Sequence, residues 1–302
     1  MKNRIKEFKK RMAPRIEELQ FTIDKIKQSP LTLVALFIIL FFVFIAIFAP
    51  YLAPPKGSDP YMMPNYGYSA TPSPPSEEAV FGTTQQQYDL YYGCIWGART
   101  AFKLATPVLG LVFLIGTGLG LISGYYGGII DEIIMRSVDT VFAFPYIILA
   151  VTLVIALGQG LSSMIIALTV AYWPFYARVM RGEVLKQKEK DYVKAAESLG
   201  ASDARIMIKH IVPNSIYPVL ILASLDFGAI VIAGATLSFF GIGFPIGYSS
   251  WGQLASFARD WVSLNYWWAT VIPGLFISIF VLGWNLLGDS IRDVMDPTIR
   301  RE

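Results

Sequence analysis

The stretch RVMRGEVLKQKEKDYVKAAESLGASDARIMIKHIVPN, residues 178–214, decides how the chain is read, because it is the longest polar interruption between hydrophobic runs. On its two sides lie residues 140–177, which are uncharged, and residues 217–242, whose one charge is Asp226. A bilayer core of about 30 Å is crossed by roughly 20 apolar residues in a helix. Both runs are long enough, so the stretch reads as a basic, helix-forming loop held at a membrane face. Within it, residues 191–197 are rich in strong helix formers. Gly200 can take the left-handed backbone that ends a helix. Ser202 is expected to cap a second short helix through its hydroxyl, and that helix is expected to stop at Pro213-Asn214. Small Ala195 and Ala196 leave a smooth surface that a partner's groove can enclose, and a helix–turn–helix here can pass a rigid-body push into the membrane. The plainer reading of the same residues is an ordinary connection between spans.

Outward from this loop, the apolar runs give six spans and an all-α membrane protein. The first is 31–49, ended by Pro50; the Pro- and Tyr-rich residues 50–80 are expected to be extended and turned. The second lies in the uncharged run 104–130, between Lys103 and Asp131. Its Gly116, Gly118, Gly120 and Gly124 suit close helix–helix approach in lipid. Residues 131–139 form a short charged helix with Glu132 and Arg136 one turn apart. The run 140–177 is too long for one crossing, and Gly158-Gln159-Gly160 divides it into spans three and four. Span five is 217–242 and span six 266–287, joined by a Gly-, Ser- and Trp-containing loop, 244–265. The organisation is thus 1–30, a cytoplasmic amphipathic segment; 31–103, the first span and an outer loop; 104–288, a five-helix core with its cytoplasmic loop 178–216; and 289–302, a cytoplasmic tail.

Composition agrees. The mean hydropathy is +0.51 and 16% of residues are charged. Soluble domains typically carry about a quarter. One cysteine, Cys94, excludes an intrachain disulfide, and one histidine, His210, excludes a histidine cluster; His210 reads as a contact with a partner or solvent. A cleavable signal peptide is not expected, since the first apolar run starts only near Leu31 and is too long for a signal core. With the amino terminus in the cytoplasm, segments 1–30, 124–140, 178–216 and 288–302 hold 21 of the 25 Lys and Arg. The outer segments keep Lys56, Arg99, Lys103 and Arg259. The positive-inside rule therefore puts both termini in the cytoplasm and favours an even number of spans. In residues 1–29, Ile5, Phe8, Met12, Ile16, Leu19, Ile23 and Ile26 recur at helical spacing opposite Lys and Arg. Pro14 can kink that stripe. It reads as a helix on an anionic membrane surface or one packed on another subunit, the former favoured.

Asp226 is the one carboxylate placed mid-span. A charge there costs several kcal/mol unless paired or hydrated. It reads either as a contact for a cationic or polar substrate group in a translocation path, or as a structural hydrogen bond to a neighbouring helix. The chain has no Gly-x-x-x-x-Gly-Lys-Ser/Thr phosphate loop, so ATP binding by this chain is not expected. No nucleophile–base arrangement is visible, which disfavours a membrane enzyme; Ser162-Ser163 and Ser249-Ser250 read as turn residues.

The loop resembles the "EAA" loop by which permease subunits of ATP-binding-cassette importers dock on their ATPases. Lys194 stands where the first Glu would be; Ala195, Ala196, Gly200, Ile211 and Pro213 hold their places, and Val212 replaces Leu. LSFFGIG from Leu237, Trp251-Gly252, NLLGDSIRD from Asn285 and Asp296-Pro297 resemble the dipeptide/oligopeptide permeases, second-subunit type. So do Gly124-Tyr125-Tyr126-Gly127-Gly128, Asp131-Glu132, Arg136, Asp139 and Phe144-Pro145. The resemblance covers about residues 30–300. Where the subfamily usually shows Gly-Thr-Asp and then Gly-Arg-Asp, this chain has Gly82-Thr83-Thr84 followed by Gln85-Gln86-Gln87.

The resemblance implies six transmembrane helices of the ABC importer permease type with a cytoplasmic coupling helix, in a prokaryotic cytoplasmic (inner) membrane. It implies ATPase coupling through Asp191, Lys194, Ala195, Ala196, Glu197, Gly200, Asp203 and Pro213. Its partners would be a second homologous permease, two ATP-binding subunits that hold ATP-Mg, and an extracytoplasmic substrate-binding protein, with no nucleic acid. The implied substrates are peptides, with oligosaccharides or metal chelates as the alternative. An ion-coupled secondary transporter is the reading from a different class; it calls for ion-coupling groups in the bilayer and often an internal repeat, and a single buried Asp is thin support.

Overall fold

The computed structural model describes residues 29–69, 71–261 and 265–295, with side chains to Asp293. The amphipathic segment 1–28 and residues 296–302, with Asp296 and Pro297, lie outside the described residues. Among those described, the regular elements are helices, with three isolated β-bridges in the loops. In chain order they are α1 Pro30–Leu52, α2 Leu90–Tyr126, α3 Gly128–Phe142, α4 Tyr146–Leu157, α5 Leu161–Lys188, α6 Asp191–Ser198, α7 Asp203–Ile206, α8 Val212–Phe239, α9 Trp251–Ala258 and α10 Trp267–Met295. Five are long and apolar enough to cross a membrane: α1, α2, α5, the run Asp203–Phe239 through α7 and α8, and α10. α3 and α4 pass the same test only together, as a bent pair; counted as one span they bring the number to six.

α1 begins where Ser29 accepts a hydrogen bond from the Thr32 amide and Pro30 takes the first helical position, where its missing N–H costs nothing. It runs two residues past Pro50 rather than stopping there. α2 begins about four turns before the point expected from hydropathy. Its cap is Asp89, which accepts from the Tyr92 amide at 3.0 Å. The extra turns are polar and aromatic because they pack on protein instead of lipid. Trp96 Nε1 donates to the Ala53 carbonyl at 2.9 Å, Tyr92 to the Pro60 carbonyl at 2.7 Å, and Thr100 to the Ser249 carbonyl at 2.8 Å.

The loop before α2 is ordered by the residues that depart from the usual subfamily pattern. Gln87 is buried with φ at 59°; its amide nitrogen donates to the Thr71 carbonyl at 2.9 Å, and its amide oxygen accepts from Ser73 at 2.8 Å. A rare left-handed backbone at a non-glycine residue is here held by its own side chain. Tyr61, on the same loop, stacks on Tyr248, and Tyr248 on Phe244, with ring centroids 5.4 and 4.5 Å apart. This loop, the first turns of α2 and α9 together form a cap on the end of the bundle opposite the basic loop.

The central seam is α2 against α5. Gly116, Gly120 and Gly124 recur at four-residue spacing on one face. A Cβ at Gly116 would meet Tyr176 and the Trp173 carbonyl, at Gly120 the Ala177 carbonyl, and at Gly124 Val184 and the Arg181 carbonyl. Gly118 faces open space and is no part of this contact. Where lipid tails give no hydrophobic drive, such backbone approach is what brings helices together. α8 packs on α10, and α10 on α1. Thr32 near the start of α1 donates to Ser290 of α10 at 2.8 Å, and α10 continues about two turns past the expected span end.

The third span is not one straight helix. α4 has 12 residues. At about 18 Å it is too short to cross alone. α3 precedes it at 88°, with the bend at Ala143-Phe144-Pro145. Gly158 and Gly160, with φ of 88° and 144°, make the expected turn into α5.

Candidate functional site

The basic loop is a compact helical unit built onto the ends of α2 and α5. α5 ends at Lys188, and after Glu189-Lys190 the chain starts α6. Val193 and Ala196, three residues apart, are both buried, which sets the face α6 turns toward the bundle. α6 ends as expected at Gly200, φ 76°. The Ala201 amide donates to the Ala196 carbonyl at 3.1 Å and the Gly200 amide to the Glu197 carbonyl at 2.9 Å. This is the paired closing pattern of a helix with a left-handed glycine after its cap.

Two expectations about the loop need correction. Ser202 occupies the capping position with extended backbone, but its hydroxyl makes no cap bond. The second helix also does not stop at Pro213-Asn214. α7 passes through a π-turn, Met207–Ile211, directly into α8. Pro213 lacks the N–H that an α-helix would use. The wider turn shifts the ladder just ahead of it. The Val212 amide reaches back to the Met207 carbonyl, and the Asn214 side chain donates to the His210 carbonyl at 2.7 Å. The basic loop is thus continuous with a span on each side.

Of the eight residues assigned to coupling, Asp191, Lys194, Ala195, Glu197, Gly200, Asp203 and Pro213 are exposed. Ala196 is 7% exposed and turned inward, so it seats α6 on the bundle. Lys194 pairs with Glu189 at 3.3 Å, and Asp203 accepts from the Tyr125 hydroxyl at 2.9 Å. The most exposed large apolar side chain of the loop is Leu199, 87% exposed beside Gly200. Ile208 also stands out, at 68%. Neither was singled out from sequence; the available signal was a lone Leu immediately before the helix-ending glycine.

Besides this packing of α6, the loop is tied to the bundle at Tyr125. Lys188 Nζ donates to the Tyr125 carbonyl at 2.6 Å, at the end of α2 where the helix dipole favours a cation. Tyr125 is buried and reaches Asp203 on the other side of the loop. Arg181 and Arg178, on the last turns of α5, hold Asp131 and Asp139 of α3. Hydropathy reading could not find these pairs, because the partners are far apart in sequence.

Asp226 lies near the middle of α8 and is half-buried. It faces the Tyr176 hydroxyl of α5, with Tyr172 nearby and Tyr146 of α4 stacked edge-on against Tyr172 at 5.4 Å. The Tyr176 hydroxyl is fully buried and makes no hydrogen bond of ordinary geometry, although the Asp226 carboxylate is within its reach. Both readings of Asp226 thus keep a physical basis: an aromatic hydroxyl to hold it, and an exposed side.

Residues 116–301 match the family described as binding-protein-dependent transport system inner membrane component, and residues 20–74 match the N-terminal TM domain of oligopeptide transport permease C. A putative peptide transport system permease protein of Brucella abortus is 37% identical, over 93% of this chain and 97% of its own. The dipeptide transport system permease protein DppC of Bacillus subtilis is 33% identical, over 94% of this chain and 88% of its own. A crystal structure of an amino acid ABC transporter with histidines shares the fold at a TM-score of 0.51 and 18% identity, over 65% of this chain and 91% of that one. The chain belongs to the binding-protein-dependent transport system inner membrane components, and within them to the permeases of the dipeptide and oligopeptide type.

Proposed function

We propose that this chain is the transmembrane subunit of an ATP-driven peptide importer, forming half of the translocation pore. The observation that carries this reading is the basic loop. It is a folded unit with Leu199 and Gly200 at its outer edge, joined without a flexible break to α8 and by two residues to α5. A partner that displaced it would displace two spans. The names of relatives matched over nearly the whole chain supply the substrate class, peptides.

In this reading a second, homologous permease completes the pore. Two ATPases holding ATP-Mg dock on the basic loops from the cytoplasm, and an extracytoplasmic binding protein delivers substrate. The protein sits in the inner membrane with both termini cytoplasmic, as the Lys and Arg distribution favours. ATP binding draws the loops together and shifts the spans between inward and outward openings; the nucleotide's preference for one state is what drives accumulation. Asp226, the half-buried carboxylate of α8, then borders the substrate path, with the buried Tyr176 hydroxyl behind it.

Co-purification tests the reading. The tagged chain should bring down an ATP-binding subunit and a second permease, and peptide uptake should need ATP. Uptake by this chain alone on an ion gradient would replace the reading with a secondary transporter. Orientation is tested by single cysteines at positions 188 and 300: both should resist a membrane-impermeant thiol reagent applied from outside, and labelling of either would reverse the topology.

A further inference from the structure

α3 is a rigid arm between two joints. At one end Gly127 and Gly128 both hold positive φ, 68° and 54°. Only glycine adopts that conformation without strain. At the other end, Pro145 follows the 88° bend into α4. Between the joints runs a regular helix of 15 residues whose one buried side chain is Val138. Ile129 and Ile133 are 69% and 61% exposed. Burial within the chain therefore does little to fix where α3 points.

Charge does more. Arg181 Nε and Nη2 donate to the two carboxylate oxygens of Asp131 at 2.6 Å each, and Ser123 at the end of α2 donates to the same carboxylate. Asp131 also sits in the first turn of α3, where the helix dipole favours an anion. A second pair, Arg178 with Asp139 at 2.8 Å, lies farther along the arm, with the guanidinium 4.4 Å from the centre of the Phe142 ring. The side chains of that second pair are more than half exposed, while Arg181 and Asp131 are 32% and 20% exposed. The two-pronged, better shielded pair is the stronger hold.

We propose that the Arg181–Asp131 pair is a latch that makes α3 follow α5. Arg181 lies two turns before the end of α5 and hence close to the docking loop. A displacement of that loop is then carried through Arg181 to α3, and through the Pro145 elbow to α4. Asp131 and Arg181 act as positioning residues, touching neither substrate nor nucleotide. The inference rests on the coupling role proposed above.

The test uses the complete reconstituted importer. Spin labels at Ser137→Cys on α3 and Leu185→Cys on α5 report the distance between the arm and α5. With the latch intact that distance should be the same without nucleotide and with trapped ATP. In Asp131→Asn it should become variable, and peptide taken up per ATP hydrolysed should fall about fivefold or more. Arg181→Lys, which keeps the charge but loses the fork, should fall less. An α3–α5 distance that changes with ATP in the labelled, otherwise wild-type importer would overturn the latch. So would an Asp131→Asn importer whose uptake and ATP hydrolysis fall together in proportion to complex yield. Should Asp131→Asn not assemble, the wild-type distance decides alone. An ATPase that never joins the wild-type complex would instead sink the coupling reading beneath it.

Discussion

The α2–α5 seam and the α3 arm lie side by side and are held in opposite ways. The seam is closed by Gly116, Gly120 and Gly124 against the backbone of α5. The arm meets the bundle through one buried side chain, the edge of Phe142 against Phe175, and two ion pairs, the first of them joined by Ser123. Close backbone contact is all-or-none, since adding one methyl group forces the helices apart. Ion pairs between side chains hold only while both partners keep their charge. The contrast separates a joint fixed by backbone contact from one fixed by charge, at the end of the molecule where the basic loop attaches.

That contrast is tested hardest at the seam. Gly120→Leu should cost about 3 kcal/mol through overpacking. Gly118→Leu, whose side chain meets open space, should leave yield and thermal stability in membranes near wild type. Equal behaviour of the two variants would show that the seam does not hold the helices.

The next effect is expected in the loop. Gly200→Asp keeps the seam but puts a charged side chain at the outer edge of α6, on a backbone of φ 76°. It should weaken ATPase binding at least about tenfold, a loss of roughly 1.4 kcal/mol, and uncouple uptake while membrane insertion persists. Normal uptake by this variant would count heavily against the loop as the docking element.

The smallest effect concerns Asp226, which faces Tyr176 of the seam from α8. Asp226→Asn keeps the shape and removes the charge. If the residue borders the path, uptake of cationic peptides should fall severalfold more than that of neutral ones. Equal loss for both, with reduced complex yield, would leave only its structural contact with Tyr176.

Much of this was legible in the chain itself. Uncharged runs located the crossings, Gly158 and Gly160 located the turn between the third and fourth, and Gly200 located the end of α6. What escaped did so for physical reasons. Hydropathy counts residues but carries no direction, so it could not see that the expected third span is a short helix, α4, set at 88° to α3. It also could not see that Tyr91, Tyr92, Arg99 and Lys103 belong to α2, because polar and aromatic residues in a helix packed on protein do not look like a span. Pro213 was expected to break a helix that a π-turn instead carries past it. Ala195 and Ala196 look alike in sequence, yet helical geometry turns one outward and buries the other beside Val193. The pairs from Arg181 to Asp131 and from Tyr125 to Asp203 join distant residues, and only the fold brings them together.

Everything proposed for function depends on the loop around Leu199 and Gly200 meeting an ATPase. Replacing Leu199 with a photo-crosslinking amino acid in the intact importer shows what that surface touches. One predominant product is expected, the ATP-binding subunit, with a yield that changes when ATP is added. Undiminished ATP-driven uptake with no crosslink to that subunit, with or without nucleotide, would contradict the docking role.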